Sequence, residues 1–384
     1  MSRSWRLASC ALAVIVALGA AAPRPADTRV IFVAPRGNDG NPGTSGQPIR
    51  TLGKALDGAL PGTVIELSPG IYEPAETRRP GLPDAPIVIR GRETGRDAAN
   101  RFRTVIRGAR IVLQINHSYY RVEGLTFDGQ PAIDRTSFPS ELARVSTFKD
   151  SVGDVAANSK LIYIGYAPGS RDITGVVLHN LFLHGAGGEC VRMRNNAFGN
   201  VLSNSVIQWC GMAPSGDGRE RFRYHNGEGV YIGTSPKSTT QPMFANDTSH
   251  DNVVRDSVIR TFGSECFQVK ENAHDNRMQR VDCRANMEPL SFGGSNVELR
   301  GDHNTIEDST IGESLGVNVK IASDDPQYDR GGNSLLRNRF LAAAGPHLLS
   351  RSARPPGLAC GNTFATTRII DGPGFGEAAA PCAR

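Results

Sequence analysis

The sequence predicts an all-β protein folded as a right-handed parallel β-helix, a solenoid of stacked short strands. Three observations support this fold class: two kinds of short β-alternating segment repeat along the 384 residues, asparagine recurs at one turn position, and no helical window separates the segments. Helices between strands are expected of βαβ units, and hairpin turns such as Asn-Gly are expected of a β-sandwich or a propeller. Few such turns occur, which favours the solenoid.

The first repeated segment starts with asparagine and then alternates apolar and polar residues. It begins at Asn200, Asn252, Asn276, Asn304 and Asn333. Asparagine tolerates left-handed backbone, and its amide can bond the neighbouring coil. The sequence therefore predicts a ladder of stacked asparagines.

The second repeated segment starts with a glutamate in four of its six copies. Neither kind of segment can bury its apolar residues alone, whereas stacked coils bury a continuous core. The longer intervals between copies contain polar stretches at 211–225 and 235–250, which we expect to protrude as loops. The six copies begin at Lys160, Glu189, Glu228, Glu265, Glu288 and Leu315.

Residues 1–22 are predicted to be a secretory signal peptide. Arg3 and Arg6 precede an apolar run, and small residues follow it. The run is short for a membrane span, and no later segment is apolar enough to be one. We therefore expect a secreted or periplasmic protein whose β-helix domain covers 28–384.

Both ends of this domain are predicted to be caps. In 28–75, strand-like residues 30–33 and 64–67 flank apolar residues at helical spacing in 49–60. A short helix there would cover the open end of the stack, whose exposed edge would otherwise recruit other chains. The stretch 355–384 has two cysteines and little periodicity, which indicates a C-terminal cap closed by a disulfide.

Six cysteines remain after the signal peptide, an even number that indicates disulfides in an exported chain. Pairing neighbours in sequence is one of fifteen connectivities. It gives Cys190–Cys210, Cys266–Cys283 and Cys360–Cys382.

The net charge of +5 falls to +3 once the two arginines of the signal are removed. Such a weak excess does not indicate nucleic-acid binding, and we expect a monomer.

Aligning the second repeated segments places their outward side chains in columns, with neighbouring coils about 4.8 Å apart. The first column contains Lys160, Glu189, Glu228, Glu265, Glu288 and Leu315. Three residues further along, the column contains Tyr163, Arg192, Tyr231, Gln268, Ser291 and Asn318. Five residues along, it contains Gly165, Arg194, Gly233, Lys270, Gly293 and Lys320.

Stacked glutamates repel one another, so they become protonated, share a cation or accept local hydrogen bonds. Ca²⁺ suits an oxygen-lined site of this kind. Glu228 and Glu265 are the candidate calcium ligands, with a structural ladder as the alternative. For Glu189 and Glu288 we favour the structural role.

Lys270 is the candidate catalytic base because strand alternation points it away from the core. Its column neighbours Gly233 and Gly293 leave room for a ligand over the ammonium group. Arg194, a second candidate catalytic residue, lies two coils away, and its charge is expected to lower the pKa of Lys270. The alternative is an ordinary solvated lysine.

Four further side chains are candidates for binding an acidic sugar: Arg192, Tyr231, Gln268 and Lys320. Arginine binds carboxylates through two hydrogen bonds, and tyrosine can stack on sugar rings, although aromatic ladders also stabilise β-helix faces. His225 follows a polar loop and is a candidate catalytic residue, although a lone histidine is more often structural.

Residues 33–74 resemble the N-terminal cap of pectate-lyase-like β-helix proteins. The segments Asn226-Gly-Glu-Gly-Val-Tyr-Ile-Gly-Thr-Ser235 and Glu265-Cys-Phe-Gln-Val-Lys270 resemble a motif pair of the alginate lyase/chondroitinase B family. The resemblance implies a calcium site bordered by the first segment, with Glu265 as a ligand and Lys270 as the base. It also implies eliminative cleavage of a uronic-acid polymer, in which Ca²⁺ neutralises the substrate carboxylate.

The chain departs from this family at two positions. The family has an acid two residues before the matched glutamate, where this chain has Gly263. Its arginine acid lies in the next coil, where this chain has no arginine between Glu288 and Arg300. The sequence predicts an exported polysaccharide lyase acting on an acidic polysaccharide. A glycoside hydrolase with paired carboxylates and a carbohydrate-binding protein without activity are the alternatives.

Overall fold

The computed structural model describes residues 29–93, 95–97, 101–130, 133, 138–139, 142–151, 159–213, 226–237, 244, 246–367 and 370–382. The predicted fold is confirmed, because the chain winds as a right-handed parallel β-helix with three parallel sheets. Each complete coil contributes one strand to sheet A, one to sheet B and one to sheet C, in that order. The predicted signal peptide and His225 lie outside the described residues.

The strands are numbered β1 to β31 in chain order. Sheet A contains β1 (Val30–Val33), β2 (Val64–Leu67), β5 (Ile87–Gly91), β8 (Tyr120–Glu123), β11 (Val177–His179), β14 (Val201–Ser203), β17 (Val253–Arg255), β20 (Arg277–Gln279), β23 (Thr305–Glu307), β26 (Ser334–Leu336) and β29 (Ala359–Cys360). Sheet B contains β3 (Gly70–Tyr72), β6 (Thr104–Arg107), β9 (Thr126–Asp128), β12 (Phe182–His184), β15 (Val206–Gln208), β18 (Val258–Arg260), β21 (Asp282–Arg284), β24 (Thr310–Gly312), β27 (Arg339–Phe340) and β30 (Thr363–Phe364). Sheet C contains β4 (Ala75–Glu76), β7 (Ile111–Ile115), β10 (Lys160–Ile164), β13 (Val191–Met193), β16 (Val230–Ile232), β19 (Phe267–Val269), β22 (Ser295–Leu299), β25 (Val317–Ile321), β28 (Leu348–Ser350) and β31 (Ile370–Asp371).

The described helices are few and lie outside the stack. They are α1 (Leu52–Gly58), α2 (Leu142–Ser151) and two 3₁₀ turns (Leu290–Phe292 and Pro326–Tyr328). Helix α1 buries Leu52 and Leu56 over the first coil, and its N-cap Thr51 accepts a hydrogen bond from the backbone N–H of Lys54 at 3.2 Å. It is shorter than the predicted span because Ile49 pairs with Val33 as a β-bridge.

The core is a set of inward columns running along the solenoid, each made of stacked apolar side chains. Burial of one such side chain contributes about 1.5–3 kcal/mol. Parallel pairing in sheet C stacks Ile162, Val191, Val230, Phe267, Val297 and Val319, each at most 1% exposed.

The asparagine ladder is confirmed at the turn that leads into sheet A. In each coil the side-chain oxygen accepts a hydrogen bond from the backbone N–H of the preceding ladder asparagine, as from Asn252 to Asn276 at 3.1 Å. The ladder asparagines do not adopt left-handed backbone themselves. That conformation falls one residue earlier, at Gly199, Asp251, Asp275, His303 and Gly332.

The three predicted disulfides are confirmed: Cys190–Cys210, Cys266–Cys283 and Cys360–Cys382. The first two join neighbouring coils at the corner between sheets B and C: Cys190 and Cys266 directly precede β13 and β19, whereas Cys210 follows β15 and Cys283 lies in β21. Strands β29, β30 and β31 continue all three sheets into the region predicted as a C-terminal cap. Among the described residues, no helix is long and apolar enough to cross a membrane.

Helix α2 covers the corner between sheets B and C. Its Val145 lies in a small apolar cluster, separate from the main core, that includes Trp209 and Phe262. The amine of the buried Lys149 donates hydrogen bonds to the backbone carbonyls of Gly211 at 2.9 Å and Phe262. These contacts hold α2 beside the residues that lead into β16 and β19.

Candidate functional site

The candidate site lies on the outward face of sheet C, where three polar columns run along the solenoid. Parallel register aligns Tyr163, Arg192, Tyr231 and Gln268 in neighbouring strands, as predicted. Phe267 and Val269 belong to the core, so Gln268 and Lys270 point outward. The three predicted columns are therefore correct across the four strands β10, β13, β16 and β19.

The predicted alignment is wrong in the next coil. The register partner of Gln268 is Glu298, not Ser291, because strand β22 begins at Ser295. Glu288 lies before this strand, in a segment that forms the 3₁₀ turn Leu290–Phe292. The segment after Glu288 has the same apolar-polar pattern as the repeat. The predicted alignment therefore placed the column seven residues too early in the sequence.

This shift changes one of the two neighbours of Lys270. Arg300, and not Gly293, occupies the equivalent position in the next coil, where its backbone N–H donates to the carbonyl of Val269 at 2.9 Å. On the other side, a Cβ built on Gly233, whose φ is +85°, would lie 3.4 Å from the Cβ of Lys270. The same Cβ would lie 3.0 Å from the Cβ of Ala273, so Lys270 is closely packed on the Gly233 side and has an arginine on the other.

Lys320 also belongs to a different column from the one predicted. It pairs in register with Glu298 and not with the Lys270 position, and its amine lies 2.8 Å from a carboxylate oxygen of Glu298. Val317, and not Leu315, pairs with Ser295 at the start of the strand. Lys320 thus remains next to the site, one column away from its expected place.

The amine of Lys270 faces the ring of Tyr231, 5.0 Å from the ring centroid. Among the described residues, no carboxylate lies within ion-pair distance of this amine. Burial disfavours the ammonium form, but Tyr231 and the carboxylates Glu298 and Glu228 together outweigh it. The pKa of Lys270 is consequently raised, and the predicted lowering is wrong. The cation that lowers the pKa of Lys270 is Arg300, whereas the sequence predicted that Arg194 would do so.

Arg300 is a candidate functional residue that the sequence alignment missed. Its Nε lies 2.9 Å from Glu298, and its Nη1 contacts Asp324 and, at 3.7 Å, Glu271. These carboxylates raise its pKa further. The alternating segment 295–299 directly before it was the signal that could have placed it.

Arg192 lies between two tyrosine rings at the other end of the site. Its guanidinium carbon is 4.1 Å from the Tyr231 centroid and 5.9 Å from that of Tyr163, and the group forms an ion pair with Glu189. Arg194, in the Lys270 column two coils away, is 2% exposed and lies over the ring of Phe244 at 5.0 Å. It also lies 5.9 Å from the ring of Tyr163, so its guanidinium is buried against two aromatic rings.

Three buried glutamates lie close together: Glu228 and Glu265 directly before strands β16 and β19, and Glu288 before the 3₁₀ turn. Ser264 Oγ donates to Glu265 at 2.6 Å and lies 3.4 Å from Glu288. Burial, then Glu298 and the other two glutamates, raises the pKa of Glu265 to about 8. No group of three His, Cys, Asp or Glu side chains in the described part of the chain is arranged to hold a metal ion.

The buried polar atoms of the site that have no hydrogen-bond partner among the described residues include Arg192 Nε, Gln268 Oε1 and Glu271 Oε2. Each unsatisfied buried group costs about 1–3 kcal/mol. Such groups are rare in folded proteins and concentrate where a ligand or water completes them. These atoms are candidate contacts for a ligand on this face.

The chain thus has the right-handed parallel β-helix fold of pectate-lyase-like proteins. Residues 35–92 match a family model described as "Protein of unknown function (DUF1565)". A search of curated protein sequences finds none that matches.

Several solved structures share the fold at low sequence identity. An alginate lyase from Paenibacillus sp. str. FPU-7 has a TM-score of 0.64 and 17% identity, over 90% of this chain and 98% of that one. A rhamnogalacturonan lyase has a TM-score of 0.56 and 14% identity, over 89% and 84%. The pectate lyase Pel9A has a TM-score of 0.55 and 14% identity, over 91% and 79%.

Proposed function

We propose that this protein is an exported polysaccharide lyase that cleaves a uronic-acid polymer by β-elimination, acting as a monomer. The observation that carries the proposal is the position of Lys270. Its amine lies outward on sheet C without an ion-pair partner among the described residues, next to Tyr231 and Arg300. The three lyases with the same fold support it, and the three disulfides are compatible with export.

Lys270 acts as the base in this proposal. Its neutral amine takes the proton from the carbon α to the substrate carboxylate, and the electron pair forms the new double bond as the glycosidic oxygen leaves. Arg300 lies beside Lys270 in the next coil, where its charge stabilises the negative charge that develops on the carboxylate. Tyr231 and Gln268 offer hydrogen-bonding groups to the sugar hydroxyls.

Calcium remains part of the proposal, with Glu228 and Glu265 as the ligands and Glu288 close by. The donors are all oxygen atoms, as Ca²⁺ prefers, and the raised pKa of Glu265 shows that its negative charge lacks compensation. A bound Ca²⁺ would supply charge neutralisation of the substrate carboxylate. The roles of Lys270 and Arg300 do not depend on it.

A screen of alginate, pectate, chondroitin and glucuronan tests the proposal directly. Elimination creates an unsaturated sugar that absorbs ultraviolet light, so rising absorbance on one polymer is the expected result. Lys270→Ala should abolish it with the fold intact, and Lys54→Ala, an exposed lysine of α1, is the matched control. Full activity of Lys270→Ala would remove Lys270 as the base.

Glycoside hydrolysis is the second candidate, because one observation favours it. A carboxyl group with a pKa near 8, as Glu265 has, stays protonated at neutral pH and can serve as a general acid beside a second carboxylate. A hydrolase would release reducing ends without ultraviolet absorbance. In that case Glu265→Gln, and not Lys270→Ala, would abolish activity. Retention on a polymer without turnover would instead indicate a binding protein.

A further inference from the structure

Two buried clusters of the same composition flank the Tyr231–Lys270 pair on sheet C. In each, one carboxylate lies between two cations. In the first clamp, Glu189 contacts the amine of Lys160 at 2.8 Å and the guanidinium of Arg192. The pKa of Glu189 falls to about 2 despite its burial, because both cations stabilise its charged form.

The second clamp lies on the opposite side of Lys270. Glu298 contacts Arg300 Nε at 2.9 Å and Lys320 Nζ at 2.8 Å, and it accepts a hydrogen bond from Gln268 at 2.5 Å. Its pKa is lowered because these cations outweigh the effect of burial. In each clamp the central carboxylate and its two cations sum to one positive charge, and in the second clamp Arg300 also contacts Asp324 and Glu271. The cations of both clamps are held in fixed positions.

A similar cluster on sheet A shows what an ordinary surface arrangement looks like. Glu307 lies between Arg277 at 2.9 Å and Arg337 at 3.1 Å, and these two arginine side chains are 50% and 47% exposed. The cations of the two clamps are only 11–22% exposed. Exposed ion pairs contribute little to the stability of the fold. Burying an ion pair costs desolvation free energy, which a purely structural role does not require.

We propose that the two clamps are preorganised subsites that bind carboxylates of the acidic polymer on either side of the unit at Lys270. This inference rests on the proposed function. Arg192 and Arg300 lie three strand spacings apart, about 14 Å, so the substrate runs along the solenoid axis and spans several sugar units. The buried Nε of Arg192, which has no hydrogen-bond partner among the described residues, supplies an unused donor in the first subsite.

The test changes one cation in each clamp, Arg192→Gln and Lys320→Gln, so that the buried glutamate keeps its other partner. The matched control is Arg337→Gln on sheet A, which leaves Glu307 paired with Arg277. If Arg192→Gln fails to fold, Lys160→Gln alters the same clamp. End-labelled hexamers of mannuronate, galacturonate and glucuronate are the probes, and the labelled products identify the cleaved bond.

We expect each clamp variant to raise KM for the cleaved hexamer about tenfold or more, because one charge-assisted hydrogen bond to the substrate is lost. The position of the cleaved bond should also move away from the altered clamp. The control should match the wild type. Unchanged KM and cleavage position in both clamp variants would overturn the inference.

If the wild type cleaves no hexamer, the proposed lyase function fails, and calorimetric binding of the same hexamers then tests the clamps alone. Weaker binding by the clamp variants, with the control unchanged, supports the subsites. Equal binding by all proteins, or no binding by the wild type, overturns them.

Discussion

Arg300 lies beside Lys270 in the neighbouring coil, at the equivalent position of its strand, and their backbones are joined through the hydrogen bond from Arg300 N–H to Val269 O at 2.9 Å. The two cations are 30 residues apart in sequence. Arg300 pulls the pKa of Lys270 down, while Tyr231 and the nearby carboxylates pull it up more strongly. The balance decides at which pH Lys270 can act as a base.

The pH dependence of elimination follows from the raised pKa of Lys270. A lysine with a raised pKa keeps its proton to higher pH, so the neutral base is scarce at neutral pH and accumulates above the usual lysine pKa. We expect kcat/KM of the wild type to rise with pH throughout the alkaline range in which the fold is stable. A profile that levels off near pH 7 would contradict Lys270 as the base.

Arg300→Gln should move this profile in a defined direction. Removing the neighbouring positive charge raises the pKa of Lys270 further, so the alkaline rise should start at higher pH. Transition-state stabilisation is lost as well, and we expect kcat/KM to fall about 10²-fold at fixed pH. Arg339→Gln, an exposed arginine of sheet B, is the control and should leave both the rate and the profile unchanged.

The sequence predicted the solenoid, the asparagine ladder and the three disulfides, because each depends on spacing that repeats from coil to coil. It predicted the columns around Tyr231 and Gln268 for the same reason. It misplaced Glu288 and Lys320, since an inserted turn at Leu290–Phe292 adds residues without adding a coil. The pKa of Lys270 depends on groups in and next to two other strands, β16 and β22, and the alignment misplaced the second of these.

Calcium binding predicts a change in stability that does not require activity. If Glu228 and Glu265 bind Ca²⁺, millimolar calcium should raise the Tm of the wild type relative to a sample in chelator, because a ligand that binds only the folded state stabilises it. Glu265→Gln should remove the calcium-dependent part of the shift. Glu307→Gln on sheet A is the control, and an equal calcium response in all three proteins would exclude Glu265 as a ligand.

Asn276 should be among the most sensitive positions for stability. Its side-chain oxygen accepts from Asn252 N–H at 3.1 Å, and its amide donates to the carbonyl of Ser249 and to Asn304. Asn276→Ala leaves these buried groups without partners, and we expect a loss of about 2–4 kcal/mol in the free energy of unfolding. Urea denaturation measures it, with the exposed Gln47→Ala expected within about 0.5 kcal/mol of the wild type.

Lys149 should determine whether helix α2 stays docked. Its amine reaches the backbone carbonyls of Cys210, Gly211 and Phe262, which lie in two neighbouring coils. Lys149→Met keeps the apolar stem but removes the donors, so these carbonyls lose their partner and α2 should open more often, at a cost of about 2 kcal/mol. Hydrogen exchange across 142–151 should therefore speed up about 30-fold, since exchange reports the free energy of local opening.

The control is Lys237→Met, a change at an exposed lysine, which should leave the exchange of α2 unchanged. Equal protection of α2 in Lys149→Met and the wild type would show that the apolar contacts of Val145 hold the helix without the lysine.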